Sequence, residues 1–242
     1  MALWRDEGIC SKARIVNDEV TGVTSIFVDT RSGNNSICVY PGASRHMTRD
    51  DIDTHASDIA ASAVFVVQLE QPVQAAVRGL ELAKKNGVIT ILNPAPACAL
   101  PDDVFPLCDY LLPNETEASI LSGIEVNSIE SAKAAAHVLL AKGAANVIIT
   151  LGEKGALLCN ADEAYLAPAF SAGKCIDTTG AGDGFTGGFA AGLSRGLHVK
   201  EAMRFGAALA GISVTRHGAA VSMPTAAEIE EAMAGLPHGS AG

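Results

Sequence analysis

Four short apolar runs, at residues 63–67, 88–92, 110–112 and 146–151, are separated by longer stretches whose apolar residues recur at helical spacing. Strands with no polar face must be covered on both sides, so this alternation predicts a mainly parallel sheet with helices on both faces. The local signals agree. Thr48 with Asp51 resembles a capping box for a helix through about residue 58, and Pro72 suits the first turn of a helix carrying Val73, Ala76, Val77 and Leu80 on one face. That helix should stop at Asn86-Gly87, and a short one should follow Pro101. Asn114 to Leu121 reads as a helix ended by Gly123, and Ser128 caps another whose stripe is Ala132, Ala135, Ala136, Leu139 and Leu140.

In such sheets a ligand sits beyond the carboxyl ends of the strands. The residues placed there are Gln68 and Glu70, Asn93, Asn114 and Glu117, and Thr150-Leu-Gly152, so polar groups converge on one edge. Residues 12–42 read as an extended hairpin around the turn cluster Arg31 to Asn35, and residues 155–159 and 164–166 as a second hairpin. Beyond these come a helix to about Gly196, another near 199–213, a loop through Gly218 and Ser222, a last helix from Thr225 and a frayed tail at 235–242.

The stretch 177–188, Asp177-Thr-Thr-Gly-Ala-Gly-Asp183-Gly-Phe-Thr-Gly-Gly188, combines two carboxylates with five glycines at a helix start. Glycines let a ligand approach the backbone, and the unpaired amides of a first helical turn favour an anion, usually phosphate. Gly182, Gly184 and Gly187 also satisfy G-x-G-x-x-G, with Glu201 nineteen residues after Gly182, but a dinucleotide fold needs a strand next and a second helix follows. No Gly-Lys-Ser/Thr phosphate loop occurs. Asp183 alone would read as an ordinary N-cap; the glycines and a second carboxylate six residues upstream favour a functional role.

The net charge of −10 argues against a nucleic-acid surface, because counterion displacement needs clustered Lys and Arg. Six cysteines form no CxxC pair, six histidines suggest no triad or metal set, no apolar run reaches the ~18 residues of a membrane span, and the first residues hold no signal-peptide core. These features lead to the expectation of a soluble cytoplasmic protein with reduced thiols.

The 177–188 stretch resembles the C-terminal signature of the ribokinase-like (PfkB-type) carbohydrate kinases. Asn93-Pro-Ala-Pro-Ala97, Pro113-Asn-Glu-Thr-Glu-Ala118, Thr150-Leu-Gly-Glu-Lys-Gly155 and Thr215-Arg-His-Gly-Ala219 agree in order and spacing. The resemblance, from about Thr21 to the last helix, implies a three-layer αβα fold and an ATP-dependent sugar kinase. The expected acceptor is the primary hydroxyl of a pentose, ribose giving ribose 5-phosphate. It implies that Asp183 is the catalytic base and that Gly180, Ala181 and Gly182 form the anion hole. Asn114 and Glu117 would steer Mg2+ and phosphates through water, and Thr150, Leu151, Gly152, Glu153, Lys154 and Gly155 would line the nucleotide pocket. Asp177, the carbonyls of Thr179, Ser213, Arg216 and Gly218 and the Ser222 hydroxyl would hold K+, and Glu70 would contact the sugar.

One departure stands out. The family's sugar-gripping Gly-Gly-x-x-x-Asn region has no counterpart, since the one Gly-Gly is 187–188 inside the signature helix. The expectation is a chain without the first quarter of the family fold: residues 1–45 as a partial β lid and 46–242 as the nucleotide-binding and catalytic core. A homodimer through the lid strands is a possible assembly. The alternatives are a catalytically impaired fragment that binds nucleotide or a partner chain, or a kinase for fructose, 2-keto-3-deoxygluconate or a nucleoside.

Overall fold

The computed structural model describes residues 2–28 and 35–234; all but Asn35 of the turn expected at Arg31 to Asn35, and the tail from 235, lie outside the described residues. The residues up to Met47, together with Glu70–Pro72, cluster as one unit, and the remainder as another.

The first unit starts with a short helix, α1 (Ala2–Asp6), followed by strands β1 (Thr21–Val28) and β2 (Asn35–Gly42). The strands pair antiparallel, with Val23 opposite Tyr40 and Ser25 opposite Cys38. A 3₁₀ turn, Ala43–His46, closes the open end of this hairpin. There Glu19 accepts the Val20 amide at 3.1 Å, the Tyr40 hydroxyl at 3.2 Å and Arg45 Nη2 at 2.5 Å. These bonds, the Val20 amide foremost, hold the Glu19 carboxyl below the usual carboxylate range.

The second unit is a three-layer α/β fold. Its helices and strands run α2 (Arg49–Asp53), α3 (Ala56–Ala60), β3 (Val64–Val67), α4 (Val73–Lys85), β4 (Ile89–Leu92), β5 (Tyr110–Leu111), α5 (Glu115–Ser122), α6 (Ile129–Ala141), β6 (Asn146–Thr150), β7 (Ala156–Cys159), β8 (Ala164–Ala167), α7 (Ala181–Ser194), α8 (Val199–Ser213) and α9 (Ala226–Ala234). The sheet order is β3-β4-β5-β6-β7-β8, parallel through β6 and antiparallel from β6 to β8.

Alternation along each strand sends side chains to two separate cores. Leu92, Leu111, Val147 and Ile149 pack with Ala132, Ala135, Ala136 and Leu139 of α6 on one face, while Ile91, Ile148 and Leu158 pack with Phe185 and Phe189 of α7 and Met203 of α8 on the other. A fully buried Leu such as Leu139 contributes roughly 1.5–3 kcal/mol through burial alone. β3 and β8 are the edge strands of this sheet, and Val66 on β3 is 42% exposed.

Two expected helices take other forms. The single helix from Thr48 to about 58 breaks into α2 and α3 at Thr54, whose hydroxyl donates to the Asp51 carbonyl at 2.6 Å. The capping box of Thr48 and Asp51 is present. After Pro101 the chain winds as a 3₁₀ helix, Asp102–Leu107, since Pro106 inside it has no amide to donate.

Helices α7 and α8 cross in close contact. A Cβ on Gly188 would lie 2.8 Å from the Gly206 Cα, and one on Gly192 would lie 2.8 Å from the Ala202 Cα. Part of the glycine content that first suggested a ligand loop therefore serves helix packing. Gly180 and Gly182 lie apart from this contact, and they lead to the site.

Candidate active site

The carboxyl ends of β4, β5 and β6 are tied together by polar groups. The Asn93 amide donates to the Val67 carbonyl at 2.9 Å, and Asn93 Nδ2 donates to the Leu112 carbonyl at 2.9 Å. One strand further, the Thr150 amide donates to the Pro113 carbonyl at 3.0 Å, and Thr150 forms a parallel bridge with Asn114.

Asn114 is the N-cap of α5. Its Oδ1 accepts the Glu117 amide at 2.9 Å while Glu117 Oε2 accepts the Asn114 amide at 2.9 Å, a reciprocal capping box. The local need for a cap thus places the Glu117 carboxylate, 6% exposed, at a fixed point beside the strand ends.

Facing these groups is the start of α7. Gly180, its N-cap, has φ 77°, a conformation that favours glycine. The Ala181 amide turns back to the Thr178 carbonyl at 3.1 Å. Gly182 and Asp183 follow in the first turn, where amides lack partners within the helix and the dipole is positive.

A cavity of about 200 Å³ separates the two sides. Asn93, Asn114, Glu117 and Thr150 line one wall, and Thr178 with Gly180–Asp183 the other. It is smaller than the roughly 300–1,000 Å³ of complete small-molecule sites, so it fits the phosphate end of a nucleotide rather than the whole molecule.

The carboxylates of this region have opposite electrostatics. Burial pushes the Glu117 carboxyl up, the Asn114 hydrogen bonds oppose that, and the charge of Asp183 adds to it. Asp183 is exposed as a residue, yet the protein around its carboxyl displaces enough water to push its pKa up too. Asp177 goes the other way, to about 2. The Gly218 amide, the largest cause, donates to its Oδ2 at 2.9 Å, and the Thr179 amide donates to its Oδ1 at 2.9 Å.

The remaining candidates are distributed as follows. Residues 213–222 are brought to Asp177, whose amide donates to the Val214 carbonyl at 3.2 Å. Ser213 and Ser222 are buried, donating to the Ala210 carbonyl at 2.8 Å and the Ala219 carbonyl at 2.7 Å. The Ser213 carbonyl accepts the Arg216 amide at 3.0 Å. Of residues 150–155, only Thr150 lines this cavity. Leu151 is buried in the core, Glu153 and Lys154 are exposed on a 3₁₀ turn, and Gly155 is fitted against β8, where a Cβ would lie 2.0 Å from the Ala167 carbonyl oxygen. Glu70 belongs to the other unit, where its carbonyl accepts the Ser44 hydroxyl at 3.2 Å.

Ala95, Leu112 and Thr178 line the cavity without having been singled out as site residues, and Asn93, expected at this sheet edge though given no role, lines it too. For Asn93 a signal existed: it is the first residue after β4, where ligands of parallel sheets bind. Among the described residues no group of three His, Cys, Asp or Glu could hold a metal ion, so a cation here would rest largely on carbonyl and hydroxyl oxygens. No helix among them is long and apolar enough to cross a membrane.

Comparison with known proteins adds three findings. The model of the pfkB family carbohydrate kinases matches residues 1–226. A ribokinase of Haemophilus influenzae is 43% identical over 229 residues, covering 94% of this chain and 74% of the relative. Two solved structures align closely. A ribokinase from Thermotoga maritima has a TM-score of 0.84 at 38% identity, over 96% of this chain and 75% of that one. A ribokinase from Arabidopsis thaliana, complexed with ribose and ATP, has a TM-score of 0.81 at 30% identity, over 90% of this chain and 70% of that one.

Proposed function

The chain belongs to the pfkB family of carbohydrate kinases, and from that membership we propose that it transfers the γ-phosphate of ATP to the primary hydroxyl of ribose, giving ribose 5-phosphate and ADP. The observation that carries this reading is the cavity where Asp183 and the first-turn amides of α7 face Asn114, Glu117 and Thr150.

In this reading Asp183 accepts the proton of the sugar hydroxyl as that oxygen bonds to the γ-phosphorus, and the bond from phosphorus to the β–γ bridging oxygen breaks to release ADP. A base works best when its pKa is moved toward the operating pH, and the raised value of Asp183 has that direction. The amides of Gly180 and Gly182 meet the charge on the transferring phosphoryl oxygens, and the Ala181 amide joins them by giving up or sharing its bond to the Thr178 carbonyl. Asn93 and Asn114, fixed by backbone bonds, keep the opposite wall in register.

Two ions fit the residues present. Glu117 would hold Mg2+ through water, which relieves the repulsion between Glu117 and Asp183. The all-oxygen set of Asp177, the carbonyls of Thr179, Ser213, Arg216 and Gly218, and the buried Ser222 hydroxyl suits K+, because its only ionised donor is one carboxylate and the rest are neutral oxygens. Mg2+ supplies charge neutralisation on the phosphates, and K+ a fixed positive charge beside the loop. The same reading takes Glu70 as a sugar contact, Thr150 and the 152–155 turn as nucleotide contacts, residues 1–45 as a partial β lid and 46–242 as the catalytic core. Its assembly would be a homodimer through the lid strands, in the cytoplasm.

The test is a coupled ADP-release assay over ribose, fructose, 2-keto-3-deoxygluconate and nucleosides. Ribose turnover that disappears in Asp183→Ala is the expected result. Nucleotide binding without turnover on any of these acceptors would refute it.

A further inference from the structure

The loop after α8 is held from two directions. On one side the Ile176 and Asp177 amides donate to the Val214 carbonyl at 2.7 and 3.2 Å, and the Gly218 amide donates to Asp177 Oδ2 at 2.9 Å. On the other side Arg216 Nη2 donates to Glu228 Oε1 at 2.5 Å. The second oxygen of Glu228 accepts the Thr225 amide at 2.8 Å and the Thr225 hydroxyl at 3.1 Å, and the Glu228 amide returns a bond to Thr225 Oγ1 at 3.3 Å. One oxygen of this carboxylate therefore caps α9, and the other anchors the loop.

An exposed ion pair contributes little to stability by itself. This pair does something else, because the arginine it holds is part of a backbone segment whose carbonyls are candidate cation donors. Hydrogen bonds, joined by short stretches of backbone, lead from the cap of α9 through Glu228 and Arg216 to the loop, then from Gly218 to Asp177, Thr179 and the N-cap Gly180. Ion affinity depends on donor spacing within a few tenths of an ångström, which outer partners enforce.

We propose that Glu228 is a positioning residue: locked onto the cap of α9 and paired with Arg216, it sets the 213–218 loop in the shape that holds a monovalent cation. The inference rests on the potassium reading above.

The experiment is thermal unfolding of the wild-type chain and of Glu228→Gln, Thr225→Ala and Arg216→Lys in choline chloride. KCl is titrated in at constant ionic strength, and ribose kinetics are measured alongside. Bound cation raises the unfolding midpoint by mass action. Glu228→Gln, which keeps an acceptor for the α9 cap, should need about fivefold more KCl for the same shift, the upper range for a lost ion pair. Its half-activating K+ concentration should rise in parallel, with the KM for ribose unchanged. Thr225→Ala, which keeps the backbone amide on Glu228 Oε2 and loses the hydroxyl, should shift the response less than Glu228→Gln, and Arg216→Lys should keep part of the wild-type response. If the wild-type chain responds to K+ and Glu228→Gln responds identically, the inference is wrong and the potassium reading stands. A lower midpoint in choline with unchanged K+ dependence would give Glu228 a capping role alone, which also overturns it. No K+-specific response in the wild-type chain removes both.

Discussion

Two glycines of α7, six residues apart, should respond to alanine in opposite ways. At Gly188 the new Cβ would sit 2.8 Å from the Gly206 Cα and 3.3 Å from both the Gly206 amide nitrogen and the Leu209 Cβ. Carbon pairs prefer about 3.5–4.0 Å, so the overlap is roughly 0.7 Å or more against backbone that cannot rotate away. Overpacking of this kind costs about 1–3 kcal/mol, and the better helix propensity of alanine returns up to about 1 kcal/mol. The net is about 1–2 kcal/mol of destabilisation, or a drop of roughly 2–8 °C in Tm at this chain length. Gly182 has nothing within 4 Å of its Cβ position, so Gly182→Ala should unfold at or slightly above the wild-type temperature. Its methyl lies at the cavity wall, where it would obstruct phosphate access to the first-turn amides. Loss of one such donor typically costs about 10²–10³ in kcat. Differential scanning calorimetry and the ribose assay should therefore separate stability from activity: Gly188→Ala less stable and still active, Gly182→Ala stable and nearly inactive. A Gly188→Ala chain as stable as wild type would show that the glycines do not set the α7–α8 spacing, and a fully active Gly182→Ala would refute the amide cradle.

Three further outcomes follow from the carboxylates. Asp183→Asn should lower kcat by about 10²–10⁴, the usual contribution of a positioned base, with ATP binding by calorimetry retained. The same substitution removes a charge that helps raise Glu117, so the Glu117 carboxyl should titrate at lower pH in a carbon-detected NMR titration; a titration that stays put argues against the coupling. Asp177 is depressed from 3.8 to about 2, so its stabilisation is present above the unfolded value and is lost as pH falls through that window. Between about pH 5 and pH 2.5 the wild-type urea midpoint should therefore fall more than that of Asp177→Asn.

The architecture was legible because each buried strand is a compact apolar run and most helices carry explicit caps. Asn114 with Glu117, Gly123 with φ 74° and Ser128 with Ser131 all act locally, within a turn of the residues that announce them. What sequence reading missed depends on contacts between distant segments. Nothing local says that Gly188 meets Gly206 or that Gly155 abuts Ala167, so those glycines looked like ligand loop. The break at Thr54 has no Gly or Pro to announce it, so periodicity did not register it. Asn93 was placed at the correct sheet edge, but its tie to Leu112 requires knowing that β4 and β5 are neighbours.

The same distinction explains how two aspartates of one loop, six residues apart, come to do different chemistry. Asp177 accepts the Thr179 amide on one oxygen and, on the other, the Gly218 amide from the loop after α8, which favours the charged form. Asp183 stands in the first turn of α7, where desolvation favours the neutral form. Carboxylates whose environments drive their pKa values apart divide into a permanently charged group and one that can exchange a proton. The permanent charge suits a cation holder, and the exchangeable one suits a base. Exchanging their environments, rather than their identities, would exchange the roles. Removing the Gly218 amide from Asp177 by rearranging the loop should therefore raise its pKa toward the ordinary value while leaving Asp183 untouched, a difference that carbon-detected NMR titration of the two carboxyls would read directly.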